Sequence, residues 1–259
     1  MKRSAVLPLA LAVLLAPTRA HAGRTLFGWL YDTEVVPEHG VELESKLEER
    51  DVQFASLGDH ETRWWLAPVV GITDRLELAL PIESQWSTED SPPPGFVAGS
   101  SVPRRYGAEL RYRFVAPAPV DAPAFVPLAR VAVKRDVTGA IRPEADVVVS
   151  YQHGRVHALV DAGVIADVAT RSAFTLANGD RHVEFHPGLG VSVRVVRELR
   201  LGAELYGEWS LDQNETGHTW AIVAPNMAWA HGRFWVSAAY GIGVYGIRSA
   251  PRIVWGIAL

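Results

Sequence analysis

The sequence predicts an all-β chain: a single closed antiparallel transmembrane β-barrel of about 12 strands in an up-and-down meander. Three observations carry this. Strand-length runs of alternating polarity follow one another after residue 22, their connectors are by turns tight and loose, and the mature chain holds no stretch of 18 apolar residues from which a spanning helix could be built. Runs of about 10 to 13 residues suit a tilted strand crossing a bilayer, whereas strands of soluble domains are commonly half that length.

Residues 1–22 read as an export signal. Lys2 and Arg3 precede the apolar stretch Ala5 to Ala16, and Ala20-His21-Ala22 has the small-x-small form that signal peptidase cleaves. The apolar stretch is too short to span a membrane comfortably, so the mature chain is expected to begin at Gly23. Without Lys2, Arg3 and Arg19 it keeps 22 basic against 29 acidic side chains, a formal charge of −7. That balance lends no support to binding a polyanion, and no nucleic-acid partner is expected. The lack of cysteine excludes disulfides and thiolate chemistry. Residues 23–39 form a leader, expected on the periplasmic side. Its alternating Phe27, Trp29 and Tyr31 suit either a segment folded into the barrel mouth or a short pairing strand. Residues 40–259 form the barrel, with no linker to divide them.

Side chains two apart share a strand face. Val41, Leu43, Ser45 and Leu47 therefore oppose Glu42, Glu44, Lys46 and Glu48, and Tyr106, Ala108, Leu110, Tyr112 and Phe114 oppose Arg105, Glu109, Arg111 and Arg113. From 155 to 166 the apolar face is Val156, Ala158, Val160, Ala162 and Val164, against His157 and Asp161. From 182 to 194 Val183, Phe185, Leu189, Val191 and Val193 oppose His182, Glu184, His186 and Arg194. Leu199, Leu201, Ala203, Leu205 and Trp209 then oppose Arg200, Glu204, Tyr206 and Glu208, and the last two runs put Phe234 to Ile242 and Ile253 to Leu259 outward at alternate positions.

The connectors beat in time with these runs. Residues 54–61, 87–103, 136–142, 168–181 and 212–217 are loose; Thr73-Asp74, His153-Gly154, Val196 to Glu198 and His231-Gly232 are tight. Ala116 to Pro123 is long for the tight side, and Gly246 to Ala250 is intermediate. With both chain ends on the periplasmic side, the tight turns face the periplasm and the loops around 87–103 and 168–181 face outward. Aromatics gather near strand ends in two belts: Trp64, Trp86, Tyr106 and Trp209 toward the loops, Phe114, Tyr151, Trp229 and Phe234 toward the turns. Against the pattern stand Pro68, Pro81, Pro127, Pro187 and Pro225. Each removes a ladder donor from a sheet with no free edge, so bulges or breaks are expected there.

Tyr31-Asp-Thr-Glu-Val-Val-Pro-Glu-His-Gly40, running into Val41-Glu-Leu-Glu44, and the hairpin Gly71-Ile-Thr-Asp-Arg-Leu-Glu-Leu-Ala-Leu80 resemble the phenol meta-pathway degradation family of outer-membrane transporters and related barrels. The resemblance implies an outer-membrane barrel with a transport role and no catalytic residues. Such barrels commonly end in an aromatic residue, whereas this chain ends Trp255-Gly-Ile-Ala-Leu259.

The inward set defines the expected lumen lining: Glu42, Glu44, Glu48, Glu77, Glu83, Arg105, Glu109, Arg111, Arg113, Asp161, His182, Glu184, His186, Arg200, Glu204 and Glu208, with Lys134, Glu144 and Asp146 on the same face. These groups could conduct polar solutes, or pair across the lumen and leave no path. His182 and His186 sit about 14 Å apart along one strand, too far to share one ion. A metal site would need one of them with Glu184 and Asp161; a hydrogen-bonded wall is the simpler reading, and neither metal nor cofactor is expected. Ser192 lies six residues from His186 on the same face, which makes no triad. The expected function is a monomeric channel or transporter for small solutes in the cell outer membrane, delivered by the barrel assembly machinery and solvated by outer-membrane lipid. The alternatives are a plugged scaffold barrel and an outer-membrane hydrolase.

Overall fold

The computed structural model describes residues 25–52, 59–88, 102–116, 124–137, 139–168, 182–211 and 219–259. The expected signal segment and the tips of the loops around 87–103 and 168–181 lie outside them. The strands are β1 (Val41–Val52), β2 (Asp59–Thr73), β3 (Leu76–Ala79), β4 (Ile82–Thr88), β5 (Val102–Arg113), β6 (Ala124–Asp136) and β7 (Ile141–His153). They continue as β8 (Val156–Asp167), β9 (His182–Arg194), β10 (Leu199–Ser210), β11 (Trp220–His231), β12 (Phe234–Tyr245) and β13 (Ile247–Ala258). Apart from β3 and β4, which both lie between β2 and β5, each pairs antiparallel with its chain neighbours, and β1 pairs with both β2 and β13, so the sheet closes on itself. The seam runs from Glu42 opposite Ala258 to Val52 opposite Ile247, and Leu259 N–H donates to Val41 O at 2.9 Å.

β3 and β4 are two pieces of one stave between β2 and β5, which makes twelve staves in all. The break falls at Leu80-Pro81, where the ring nitrogen cannot donate to the ladder. The other four expected proline defects take milder forms. Pro68 and Pro127 keep continuous register opposite Leu43 and Val149. Around Pro187 and Pro225 the ladder skips paired positions on one side without bulging. A proline whose nitrogen meets a skipped position leaves no acceptor stranded beside a regular bond.

The tight turns sit one residue later than the sequence suggested, at Asp74-Arg75, Gly154-Arg155 and Gly232-Arg233. Gly154 and Gly232 take φ of 56° and 60°, the left-handed backbone that two-residue hairpins need. The last connector differs more: β12 and β13 are separated by Gly246 alone, at φ 69°, so the expected intermediate loop is a tight turn on the loop side of the barrel.

Alternation sorts the two faces. Val131, Val160 and Leu189 each keep 51% of their surface exposed on the outside, while Leu128 and Val148, one step out of phase, keep none. Trp64, Tyr106 and Trp209 toward the loops, and Phe114, Tyr151, Trp229 and Phe234 toward the turns, are exposed outward; Trp86 is partly covered. Ser45 is an outward residue that is nonetheless buried, because the Trp64 indole lies over it and donates to its hydroxyl at 2.8 Å.

Candidate functional site

Among the described residues the wall encloses a lumen lined with buried charged side chains, and its two halves are filled differently. On the turn side it is occupied by the leader. Gly71 N–H donates to Gly40 O and His39 N–H to Gly71 O, which fixes the point of entry beside β2. From there the chain runs inward, with Phe27, Trp29, Leu30, Asp32, Thr33 and Val36 buried. The segment expected as a leader thus folds into the mouth and does not pair as a strand.

Wall carboxylates hold this segment by its backbone. Glu204 accepts from the N–H groups of Gly28 and Trp29 at 2.7 Å each and of Leu30 at 3.1 Å, and Asn226 Nδ2 donates to it at 2.7 Å. Successive N–H groups converging on one carboxylate form an anion nest, here with the anion on the wall and the nest on the leader. Glu77 accepts from Val36 N–H at 2.6 Å, Asp161 from Tyr31 N–H at 3.3 Å, and Thr33 and Ser150 share a hydroxyl contact of 2.6 Å. Arg113 reaches Glu34 at 3.0 Å, and Arg252 donates to Trp29 O at 3.3 Å.

The side chains of the leader fill prepared hollows. Gly188 and Gly190 on β9 point inward, and a Cβ at either would strike Leu30 or Phe27. The Trp29 ring packs 5.3 Å from Tyr206 and 5.4 Å from Trp220, with the Arg252 guanidinium 4.6 Å above it. Arg130 lies 4.2 Å over Tyr31. Asp32 accepts from Leu26 and Thr33 N–H and lies 3.3 Å from the His157 ring. Burial pushes its carboxyl up, but His157 and those two donors outweigh that and hold it below the ordinary value.

Toward the loops the lumen is crossed by ion pairs. Arg130 is the hub, 2.6 Å from Glu109, 2.7 Å from Glu144 and 2.6 Å from Asp146. The network continues toward the turns, where Arg111 meets Glu109 at 2.7 Å, Glu77 at 3.2 Å and Glu44 at 3.7 Å. Arg50 pairs with Glu48 and with both oxygens of Glu208, which also accepts from Trp220 Nε1 at 2.9 Å and Tyr206 OH at 3.2 Å. Lys134 meets Glu83 at 2.6 Å, Arg142 lies 3.5 Å from Glu184, and His186 lies 3.5 Å from Asp146. Glu42 is set apart, accepting from Trp235 Nε1 at 2.7 Å near the turn end.

Arg105 faces the upper lumen, whereas Arg200 sits half-exposed at the turn-side rim and bonds Ser192 Oγ at 3.1 Å and the Arg155 carbonyl at 3.2 Å. The His182 side chain lies outside the described set. Glu184 faces a guanidinium, and among the described residues no three His, Asp or Glu side chains gather as metal ligands. Sequence reasoning passed over Arg50, Arg130 and Arg142. All three continue an inward parity already marked by Glu48, Lys134 and Glu144, so alternation alone could have found them.

Fold and site define a class: a closed twelve-stranded antiparallel barrel, apolar outside, with a charged lumen stoppered by its own leader. No family model and no curated protein matches the sequence. Solved barrels do. A KdgM porin in complex with disordered oligogalacturonate is 9% identical, with 84% of this chain and 99% of that one covered at a TM-score of 0.51. The β domain of the Bordetella autotransporter BrkA is 10% identical over 84% of this chain and 98% of that one, TM-score 0.49. The CymD monoaromatic hydrocarbon channel is 11% identical over 85% and 88%, TM-score 0.40. At these identities the likeness is one of fold: outer-membrane barrels share the architecture.

Proposed function

We propose that this chain is an outer-membrane channel for small solutes whose conduit is closed by residues 26–36 and opens when they move. The observation that carries the reading is how the stopper is held. Its N–H groups rest on the wall carboxylates Glu204, Asp161 and Glu77, outside the strand ladder, so it can leave without breaking a single pairing of the barrel. Behind it the wall joins an apolar patch, where Leu128, Val148, Leu159 and Ile222 meet the leader, to charged side chains at both ends of the lumen, such as Glu42 and Glu77 toward the turns and Glu83, Lys134 and Glu208 toward the loops, which suit a water path. The apolar outer face with aromatics at both ends supports insertion in a bilayer, and the signal-like residues 1–22 support export to the outer membrane. Kinship with the phenol meta-pathway degradation family belongs to the same proposal and rests on residues 31–44 and 71–80. The reading needs no cofactor and no catalytic step.

Planar-bilayer recording of the mature protein beside a variant lacking residues 23–36 tests it. The intact protein should open rarely, and the shortened one should show frequent or continuous unit conductance. A shortened variant that is folded, heat-modifiable on gels and still silent would make the molecule a filled scaffold.

A further inference from the structure

Above the stopper the lumen widens into a cavity of about 90 Å³, floored by Trp29 and Tyr31. Nine Lys or Arg side chains line it against four Glu. Six of those cations are held closely by carboxylates or by the leader backbone; Lys46, Arg104 and Arg105 are not. Among the described residues Lys46 has no carboxylate in ion-pair reach, and its ammonium lies 5.5 Å from the centre of the Trp65 ring. Arg104 lies 3.9 Å from Glu61 and 3.5 Å from Asp136, while Arg105 lies 3.6 Å from the same Asp136 and 3.8 Å from Glu83. Two of those carboxylates are already engaged, Glu61 with Arg63 at 2.8 Å and Glu83 with Lys134 at 2.6 Å, and the third, Asp136, is divided between the two guanidiniums.

Arg105 is 7% exposed, and its Nε is buried with Asp136 at 3.6 Å, beyond hydrogen-bond distance, and no other acceptor in reach among the described residues. A buried cationic donor left without an acceptor is costly, and a ligand oxygen would supply one. Guanidinium forks match the two oxygens of a carboxylate. The volume admits on the order of six waters, and so an anion no larger than a small carboxylate. We infer that this cavity is a binding site for a small carboxylate anion, received by Lys46, Arg104 and Arg105. The inference rests on the channel reading for its role as the selective station of the path, but the site itself stands on the wall geometry.

The test pairs two measurements. Intrinsic tryptophan fluorescence of the full mature protein in detergent, titrated with succinate against potassium chloride of matched ionic strength, reads the site directly, since Trp29 and Trp65 border it. A saturable change is expected, weakened about tenfold or more in a variant carrying Lys46→Gln, Arg104→Gln and Arg105→Gln, each change removing charge-assisted contacts. Lys46→Gln alone, which breaks no ion pair of the wall, should weaken it in the same direction. Titration curves identical in wild type and both variants, or no saturable change at all, would overturn the site. In bilayers the leader-deleted protein should prefer chloride to potassium and be blocked by succinate; a potassium preference would overturn the inference as well. Silence of every variant in the bilayer defeats the channel reading alone, because the fluorescence titration still decides the site.

Discussion

The two halves of the lumen are built on the same strands, yet they neutralise buried charge by opposite means. Toward the turns, Glu204 takes only backbone N–H groups of the leader and the Asn226 amide, and Glu77 takes the Val36 N–H beside its pair with Arg111. Toward the loops, carboxylates such as Glu109, Glu144 and Glu208 take guanidinium and ammonium groups from other staves. The first solution is removable, because the donor is a segment that belongs to no strand. The second is permanent, because both partners are fixed in the sheet. On the proposed channel reading this division has a use, since it would keep the wall stiff while the filling of the other layer leaves.

The largest effect that could break this comparison is removal of residues 23–36. It should turn a closed barrel into a conducting one while the gel shift on heating persists. Arg130→Met comes next: it takes from Asp146 its close cation and from Glu109 and Glu144 one of their cations each, leaving them Arg111 and Lys134, and should cost about 3 kcal/mol, read as a lower temperature for loss of the folded gel band. Equal stability of that variant would show the ion-pair layer to be dispensable.

Glu204→Gln acts chiefly on the removable layer, since Asn226 is its single wall partner among the described residues. Replacing the carboxylate that accepts three N–H groups should weaken docking of the leader by about 1.5–3 kcal/mol, raising protease access to it with a far smaller change in barrel stability. Gly188→Val should drive Leu30 from its hollow at a cost of about 1–3 kcal/mol, and adding Leu30→Ala should restore part of the loss. A pair of changes that simply add would mean the two residues do not meet.

The smallest effect is on pH. Asp32 has a lowered folded value, so its contribution to leader docking is whole above the ordinary carboxylate range, begins to fade below about pH 4, and is gone once pH has fallen through the folded value. Acid titration of leader accessibility should show this release, and Asp32→Asn should flatten it.

Alternation made the wall legible because a strand has only two faces, and Glu42, Glu44 and Glu48 could not share one with Leu43 and Leu47. It names a face but neither a height nor a partner. Nothing in the run from Val126 to Lys134 announces that Arg130 will meet Glu109, Glu144 and Asp146 from neighbouring staves, since that depends on stagger between strands. The leader's destination was less legible still. Gly28 and Glu204 are 176 residues apart, and no local pattern encodes a backbone N–H reaching that far. The last turn was misjudged for a different reason: Gly246 at positive φ compresses into one residue a connection that composition made look longer.

The seam between β1 and β13 also fixes the root of the stopper. The leader continues directly into β1 at Gly40, and β1 is paired on both sides, with β2 and with β13, so residues 26–36 hang from a point the sheet holds still. On the channel reading, a stopper that leaves its hollow stays tethered beside it, at an effective concentration set by its own short length and not by how much protein is present.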